Sequence, residues 1–403
     1  MMRRVNRVVL LLGPAFVAAV AYVDPGNFAA NFSAGAQYGY ALLWVLVAAN
    51  LMASLVQYLS AKVGLVTGMS LPEVIAKKLG RKSRIAYWMQ AEAVAVSTDL
   101  AEVIGGAIAL NILFGLPLVL GAIITGLVSL LLLFIYTRRG QKMFERIIVG
   151  LLLIIPIGFC AGLFIQPPDM GGIASGLIPQ LRDADMVLLA AAMLGATVMP
   201  HVVYLHSALS RDRHGKSEKL ELKKLLKATK IDVGLAMVLA GSVNISMLLL
   251  AASALSGEPG TDSLEGIFAA LGNNISPVIA GLFGLSLLVS GFASTTVGAH
   301  AGAVIMDGML KRSIPLLVRR VITIIPAVVI VGFGIDPTQA LIISQVILSF
   351  GIPFALIPLL MVTSNKKIMG DAVNSKLIIV LLGMITGVIV VLNFALIWLT
   401  FIK

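Results

Sequence analysis

Between Val8 and Phe32 the chain is almost entirely apolar, and ten more runs of similar length follow. Runs of about 20 apolar residues can cross the hydrocarbon of a bilayer as helices. This feature restricts the fold more than any other. Inside lipid every backbone polar group needs an internal partner, which leaves helices or closed barrels, and barrel strands are about ten residues long with alternating polarity. The runs here fit helices. Composition agrees: 59% of the residues are hydrophobic and 12% charged, against about 25% charged in soluble domains. The expected fold class is an all-α polytopic membrane protein, one transmembrane domain with almost no mass outside the bilayer. Its spans fall near 8–33, 39–61, 85–111, 116–136, 147–166, 186–210, 231–254, 275–306, 315–334, 338–363 and 377–400.

A net charge of +11 could suggest nucleic acid, but its distribution argues against that. With these spans, 28 of the 30 basic residues fall on one side, in Arg3, Arg4, Arg7 and the clusters 62–84, 138–146, 211–230, 311–320 and 366–376. The other side keeps Arg182 and Lys403, beside Asp169, Asp183, Asp185, Glu258, Asp262, Glu265 and Asp336. Basic loops stay cytoplasmic. The alternation therefore places the N-terminus in the cytoplasm and the C-terminus outside, in a plasma or inner membrane. The start, from Arg3 to Ala21, also has the form of a signal peptide, and the repeat below requires that it be retained. The single Cys160 excludes an intramolecular disulfide and a thiolate metal cluster.

The first run contains Ala21-Tyr22-Val23-Asp24-Pro25-Gly26-Asn27, a carboxylate, a helix breaker and a carboxamide at its centre. In the sixth run stands Ala196-Thr197-Val198-Met199-Pro200-His201. Both read Ala-x-Val-x-Pro at a constant offset of 175 residues, so that Met199 takes the place of Asp24. Five spans separate the two, an odd number, so the copies run in opposite directions. This is the pattern of an inverted repeat of five plus five spans: about 8–166, about 186–363, and an added helix at 377–400. Such transporters bind substrate near the midplane, where broken helices meet. Proline lacks an N–H, so Pro25 frees the carbonyl of Ala21 and Pro200 that of Ala196. Two helix C-terminal ends at one place favour a cation. A pair of simple kinks is the bland alternative. Asp24 weighs against it, because a charge at the bilayer centre costs about 2.5–3.5 kcal/mol and marks a functional site by default.

The candidate ligands are the Asp24 carboxylate, the Asn27 amide oxygen, the Met199 thioether and the carbonyls of Ala21 and Ala196. Oxygen alone would suit Mg2+ or Ca2+. A thioether is soft, and mixed oxygen and sulfur ligation points to a divalent transition metal such as Mn2+ or Fe2+. In the third span Glu92, Asp99 and Glu102 are spaced by seven and three, on one helix face. A carboxylate stripe inside a membrane reads as a proton relay. A static ion-pair lock fits the same stripe.

The motifs Asp24-Pro25-Gly26-Asn27 and Met199-Pro200-His201 resemble those of the Nramp family of proton-coupled divalent metal transporters, most closely its bacterial manganese branch. The segments at 97–111 (STDLAEVIGGAIALN), 199–209 (MPHVVYLHSAL) and 344–359 (SQVILSFGIPFALIPL) resemble the family in order and spacing. The resemblance covers nearly the whole chain. It implies a LeuT-like fold with discontinuous helices 1 and 6. It implies metal ligation by Asp24, Asn27, Met199 and the Ala196 carbonyl, with the Ala21 carbonyl and Gln345 joining in some conformations. It implies a proton-linked role for His201, and Arg319 and Arg320 as partners for the acids; as residues alone these two also read as ordinary basic flanks. The segment 290–302 (SGFASTTVGAHAG) departs from many members, which carry a Gln near Phe292, and His300 has no assigned role.

Enzyme patterns are absent. His201 and His206 lack the Glu of a zinc-protease motif, and there is no nucleophile elbow or P-loop. The basic stretch 217–230 is expected at the membrane surface, near acidic lipids. The expected activity is import of Mn2+, and of Fe2+ and related ions, with protons moving in the same direction. No cofactor and no protein partner are implied beyond the metal ion, protons and lipid. The rivals are a LeuT-like carrier of amino acids or organic cations, an intramembrane enzyme using the carboxylates, and a magnesium transporter of related fold.

Overall fold

Proline, glycine and short polar residues decide where the helices start and stop. The computed structural model describes residues 13–214, 219–312 and 314–401. Arg3, Arg4, Arg7, the start of the first run, residues 215–218 and Lys403 lie outside the described residues. The first run is split into α1 (Pro14–Ala21) and α2 (Pro25–Tyr38). Then come α3 (Leu43–Thr67), the short α4 (Leu71–Ala76), α5 (Arg81–Phe114), α6 (Leu118–Arg139) and α7 (Gln141–Ile165). After the short α8 (Met170–Gly176), the sixth run is split into α9 (Ala184–Thr197) and α10 (Pro200–His214). The rest is α11 (Lys219–Ala254), the short α12 (Leu264–Asn274), α13 (Pro277–Leu310), α14 (Leu316–Gly332), α15 (Pro337–Thr363), the single turn α16 (Lys366–Met369) and α17 (Lys376–Phe401). No strand occurs among the described residues.

Local chemistry accounts for these ends. Asp24, Ser276 and Asp336 each cap a helix whose first residue is proline, a position where the missing N–H has no intrahelical use. Gly68 and Gly115 close α3 and α5 in the left-handed conformation, at φ 65° and 67°, which glycine adopts without a Cβ clash.

Nine helical segments among the described residues are long and apolar enough to cross a membrane, with Ala184–His214 counted through its break. The first run falls short because its pieces have 8 and 14 residues. α14 falls short at 17 residues. The count of eleven therefore stays an expectation. The expected span at 231–254 begins earlier: residues 219–230 are the opening turns of the 36-residue α11. Lys, Leu and Glu are good helix formers, so nothing in that stretch stops the helix at the expected boundary.

The split helices occupy the centre. Burial reaches 94% along the most apolar window of Ala184–His214 and only 22% along that of α17. Phe28 and Phe32 of α2 pack edge-on against Phe159 of α7 (5.4 Å between centroids) and Phe283 of α13 (4.9 Å). Outside, Leu131, Phe164, Phe333 and Phe394 stand exposed, an apolar surface that hydrocarbon rather than water would cover.

Candidate functional site

The first break is held open by side chains from elsewhere in the fold. Tyr22 and Val23 donate backward to Ala19 and Val20, tightening the end of α1. The Tyr22 carbonyl accepts from the Asn244 amide of α11 at 2.7 Å, and the Val23 carbonyl from the Ser290 hydroxyl of α13. Asp24 is then extended, at φ −80° and ψ 168°, and caps α2. One of its oxygens accepts from the Asn27 N–H at 2.8 Å and from the Asn27 side-chain amide at 2.7 Å. At the second break Val198 closes α9 onto Leu194 at 2.7 Å, and Pro200 begins α10.

Asn27 joins the two breaks. Its Nδ2 also donates to the Ala196 carbonyl at 3.0 Å. Gln345 of α15 reaches in from a third direction, donating to the other Asp24 oxygen at 3.3 Å. Its approach depends on two glycines: a Cβ on Gly26 would fall 1.8 Å from Gln345 Nε2, and one on Gly195 would fall 1.9 Å from the Gln345 carbonyl. The structure thus brings Asp24, Asn27, Ala196 and Gln345 into direct contact. Ala21 ends α1 and Met199 lies in the second break, both fully buried. The Asn27 Oδ1 and Gln345 Oε1 atoms are buried without a hydrogen-bond partner. No three His, Cys, Asp or Glu side chains converge among the described residues. What is assembled is one carboxylate amid neutral oxygens, with a thioether in the adjoining break.

The acids of α5 lie beside this place. Pro25 packs against α5 so closely that a Cβ on Gly105 would come within 2.0 Å of it. Asp99 and Glu102 are fully buried. Asp99 pairs with Arg320 at 3.1 Å, and Arg320 also donates to the Thr295 hydroxyl. Glu92 pairs with Arg319 at 2.6 and 3.1 Å. Both arginines are buried, at 3% and 0% exposure, so they are interior partners and not basic flanks. Glycines of α13 make the room: a Cβ on Gly302 would meet Arg319 Nη2 at 1.9 Å, and one on Gly298 would meet Glu102 Oε2 at 2.7 Å. His201 follows the second break, and its Nδ1 lies 3.3 Å from the hydroxyl of Thr98, the neighbour of Asp99. Its Nε2 is buried without a partner.

The Natural resistance-associated macrophage protein-like model, Nramp, matches residues 15–399. The chain belongs to the Nramp family. It is 57% identical to the divalent metal cation transporter MntH of Mycobacterium tuberculosis over 391 residues, which cover 97% of this chain and 91% of the relative. Among solved structures it is similar to an Eremococcus coleocola manganese transporter in complex with an aromatic bis-isothiourea compound. The TM-score is 0.85 at 32% identity, over 97% of this chain and 86% of the other. MhsT, solved with L-phenylalanine, matches at TM-score 0.65 and 14% identity over 95% of this chain and 98% of its own, a likeness of fold alone. This Nramp protein accordingly has the LeuT-like fold and is a multi-pass membrane protein.

The reading of residues missed several members of the site. Asn244 and Ser290, which hold the carbonyls of the first Nramp break, have no motif around them. A lone amide in an apolar helix was the available signal for Asn244. Gln57 of α3 was missed as well: its amide nitrogen donates to the Tyr22 hydroxyl, and its Oε1 accepts from His206 Nδ1, 2.7 Å away. In the segment 290–302, His300 contacts Tyr136 of α6, 3.2 Å from Nε2 to hydroxyl.

Proposed function

We propose that this chain is a secondary active transporter that imports divalent transition metal ions, Mn2+ foremost and Fe2+ and related ions beside it, with protons moving in the same direction. The observation that carries this reading is the Asn27 amide bound at once to Asp24 and Ala196, which draws one donor set from both broken helices. Asp24 supplies the charge. Asn27 Oδ1, Gln345 Oε1 and the carbonyls of Ala196 and Ala21 supply neutral oxygens, and Met199 the sulfur that disfavours Mg2+ and Ca2+. The ion replaces the hydrogen bonds that Asn27 and Gln345 now make to the same oxygens. The names of the relatives, a divalent metal cation transporter and a manganese transporter, support the same substrate class.

Asp99, Glu102 and Glu92, with Arg320, Arg319 and His201, form the proton route. His201 touches Thr98 on the helix that carries the acids, so the second break is joined to that helix by contact. Alternating access arises as the four half-helices rearrange around the site. We place eleven spans in two inverted halves plus α17, in the cell membrane, with the N-terminus in the cytoplasm.

An amino-acid carrier of related fold would need a free half-helix N-terminus for the substrate carboxylate. Here the Asp24 carboxylate already takes that place at α2, and a second anion would be repelled.

The test is uptake of radioactive manganese into proteoliposomes under an imposed proton gradient, with excess Mg2+ and amino acids as competitors. Manganese should accumulate against its gradient, with neither competitor effective, and Asp24→Ala should abolish it. Competition by amino acids, or uptake that ignores the proton gradient, would sink the reading.

A further inference from the structure

The last helix, α17, lies outside the two proposed halves, and only 22% of its most apolar stretch is buried. One buried amide interrupts it. Asn393 Nδ2 donates to the Ser349 carbonyl of α15 at 2.9 Å, and Asn393 Oδ1 accepts from the Ser349 hydroxyl at 2.8 Å. Both ends of the amide are thus spent on one residue of a neighbouring helix. A small apolar cluster accompanies this clasp, built from Val187 and Ala191 of α9, Val346 and Phe350 of α15, and Leu392 and Leu396 of α17. In apolar surroundings an amide stripped of its partners has no water to turn to, so the paired arrangement is strongly preferred to any slipped one.

The clasp is placed one helical turn from Gln345. A Cβ on Gly195 would lie 1.9 Å from the Gln345 carbonyl and 2.9 Å from the Ser349 amide nitrogen. This turn of α15 is therefore pressed by the backbone of α9 on one side and tied by Asn393 on another. From the same turn the Gln345 side chain reaches Asp24 at 3.3 Å. A slide of α15 by about 1.5 Å, one residue's rise, would undo that contact. Aliphatic surfaces resist such a slide weakly, whereas a two-point hydrogen bond admits one register, as buried polar residues do in coiled coils.

We propose that Asn393 is a positioning residue for the ion site, clasping Ser349 to set the register of α15 at which Gln345 reaches Asp24. The added helix then serves the site directly, although it contributes no ligand. This inference rests on the reading of Asp24 and Gln345 as ion ligands.

The test uses the full chain and Mn2+ binding by calorimetry, with wild type, Asn393→Ala, Gln345→Ala and the double variant. Asn393→Ala should weaken Mn2+ binding about fivefold, a typical coupling between neighbouring groups, and raise the KM of uptake with little change in kcat. The double variant should bind no more weakly than Gln345→Ala alone. An equal further loss in the Gln345→Ala background, or no loss in the wild-type background, would overturn the proposal. Should Asn393→Ala not fold, Ser349→Ala removes the hydroxyl and keeps the carbonyl, and about a twofold loss is expected under the same cycle. Hydrogen exchange at residues 345–349, measured without metal, should quicken when the clasp is cut, and unchanged exchange counts against the proposal. That readout stands even if wild type binds no Mn2+, a result that would overturn the transport reading instead.

Discussion

Asn27 and Ala196 lie 169 residues apart in the chain and share a hydrogen bond of 3.0 Å. The same Asn27 nitrogen binds Asp24 at 2.7 Å. One small amide therefore ties the carboxylate of the first broken helix to the carbonyl end of the second. Replacing it tests whether this junction is the ion site. Asn27→Ala should weaken Mn2+ binding at least about tenfold, equivalent to roughly 1.4 kcal/mol. Calorimetry on the purified protein reads this directly, and an unchanged affinity would remove Asn27 from the ligand set.

Met199 is the one soft donor in the set and is fully buried. Met199→Ala should leave part of the manganese uptake in place while Ca2+ and Mg2+ become better competitors, because the remaining donors are hard oxygens. Competition assays with each cation check this. If selectivity stays where it was, the sulfur is packing and not a selector.

The two acid–arginine pairs should differ in how much stability they carry. Asp99–Arg320 is sealed from solvent, whereas the Glu92 side chain keeps 19% of its exposure. Removing one partner of a sealed pair leaves an uncompensated charge and costs about 3–5 kcal/mol. Partial exposure lets water take over some of that role. Arg320→Gln should therefore lower the thermal midpoint more than Arg319→Gln. The opposite order would contradict the burial seen here.

His201 connects the second break to α5 through Thr98. Imidazole is the side chain whose ordinary titration falls between about pH 5 and pH 8. His201→Ala should reshape the pH profile of metal uptake over that range. Superimposable profiles of variant and wild type would exclude a controlling role.

Asp232 of α11 caps α1 from across the fold, accepting from the Gly13 and Ala15 N–H groups at 3.1 Å each. Losing a cap costs a helix about 1 kcal/mol. Asp232→Ala should raise hydrogen exchange in residues 15–20 relative to α2, which keeps its own Asp24 cap. Equal exchange in both half-helices would show that packing alone holds α1.

Much of the site could be read without coordinates. Pro25 and Pro200 announce the breaks because proline removes a donor wherever it stands, and Asp24 announces function because a charge in hydrocarbon is costly. The seven and three spacing of Glu92, Asp99 and Glu102 sets them on one face of α5 by helix geometry alone. Other parts were illegible. Arg319 and Arg320 read equally as flanks or as partners, since burial is a property of what surrounds a residue. Gln345 entered only by resemblance, and Asn244, Ser290 and Gln57 not at all, because a single polar residue in an apolar run does not name its acceptor. The start of α11 was also illegible, because helix propensity carries straight through residues 219–230 into the apolar run at 231–254.

Periodicity, proline and an isolated carboxylate are local facts, and they determined that this chain spans a membrane in helices and interrupts two of them at matched places. Tertiary structure alone decided which side chains meet at the breaks: Asn27 with Ala196, Gln345 with Asp24, Arg320 with Asp99. Such pairs join residues scores to hundreds of positions apart, and their distances depend on how whole helices pack, which no short stretch of sequence encodes.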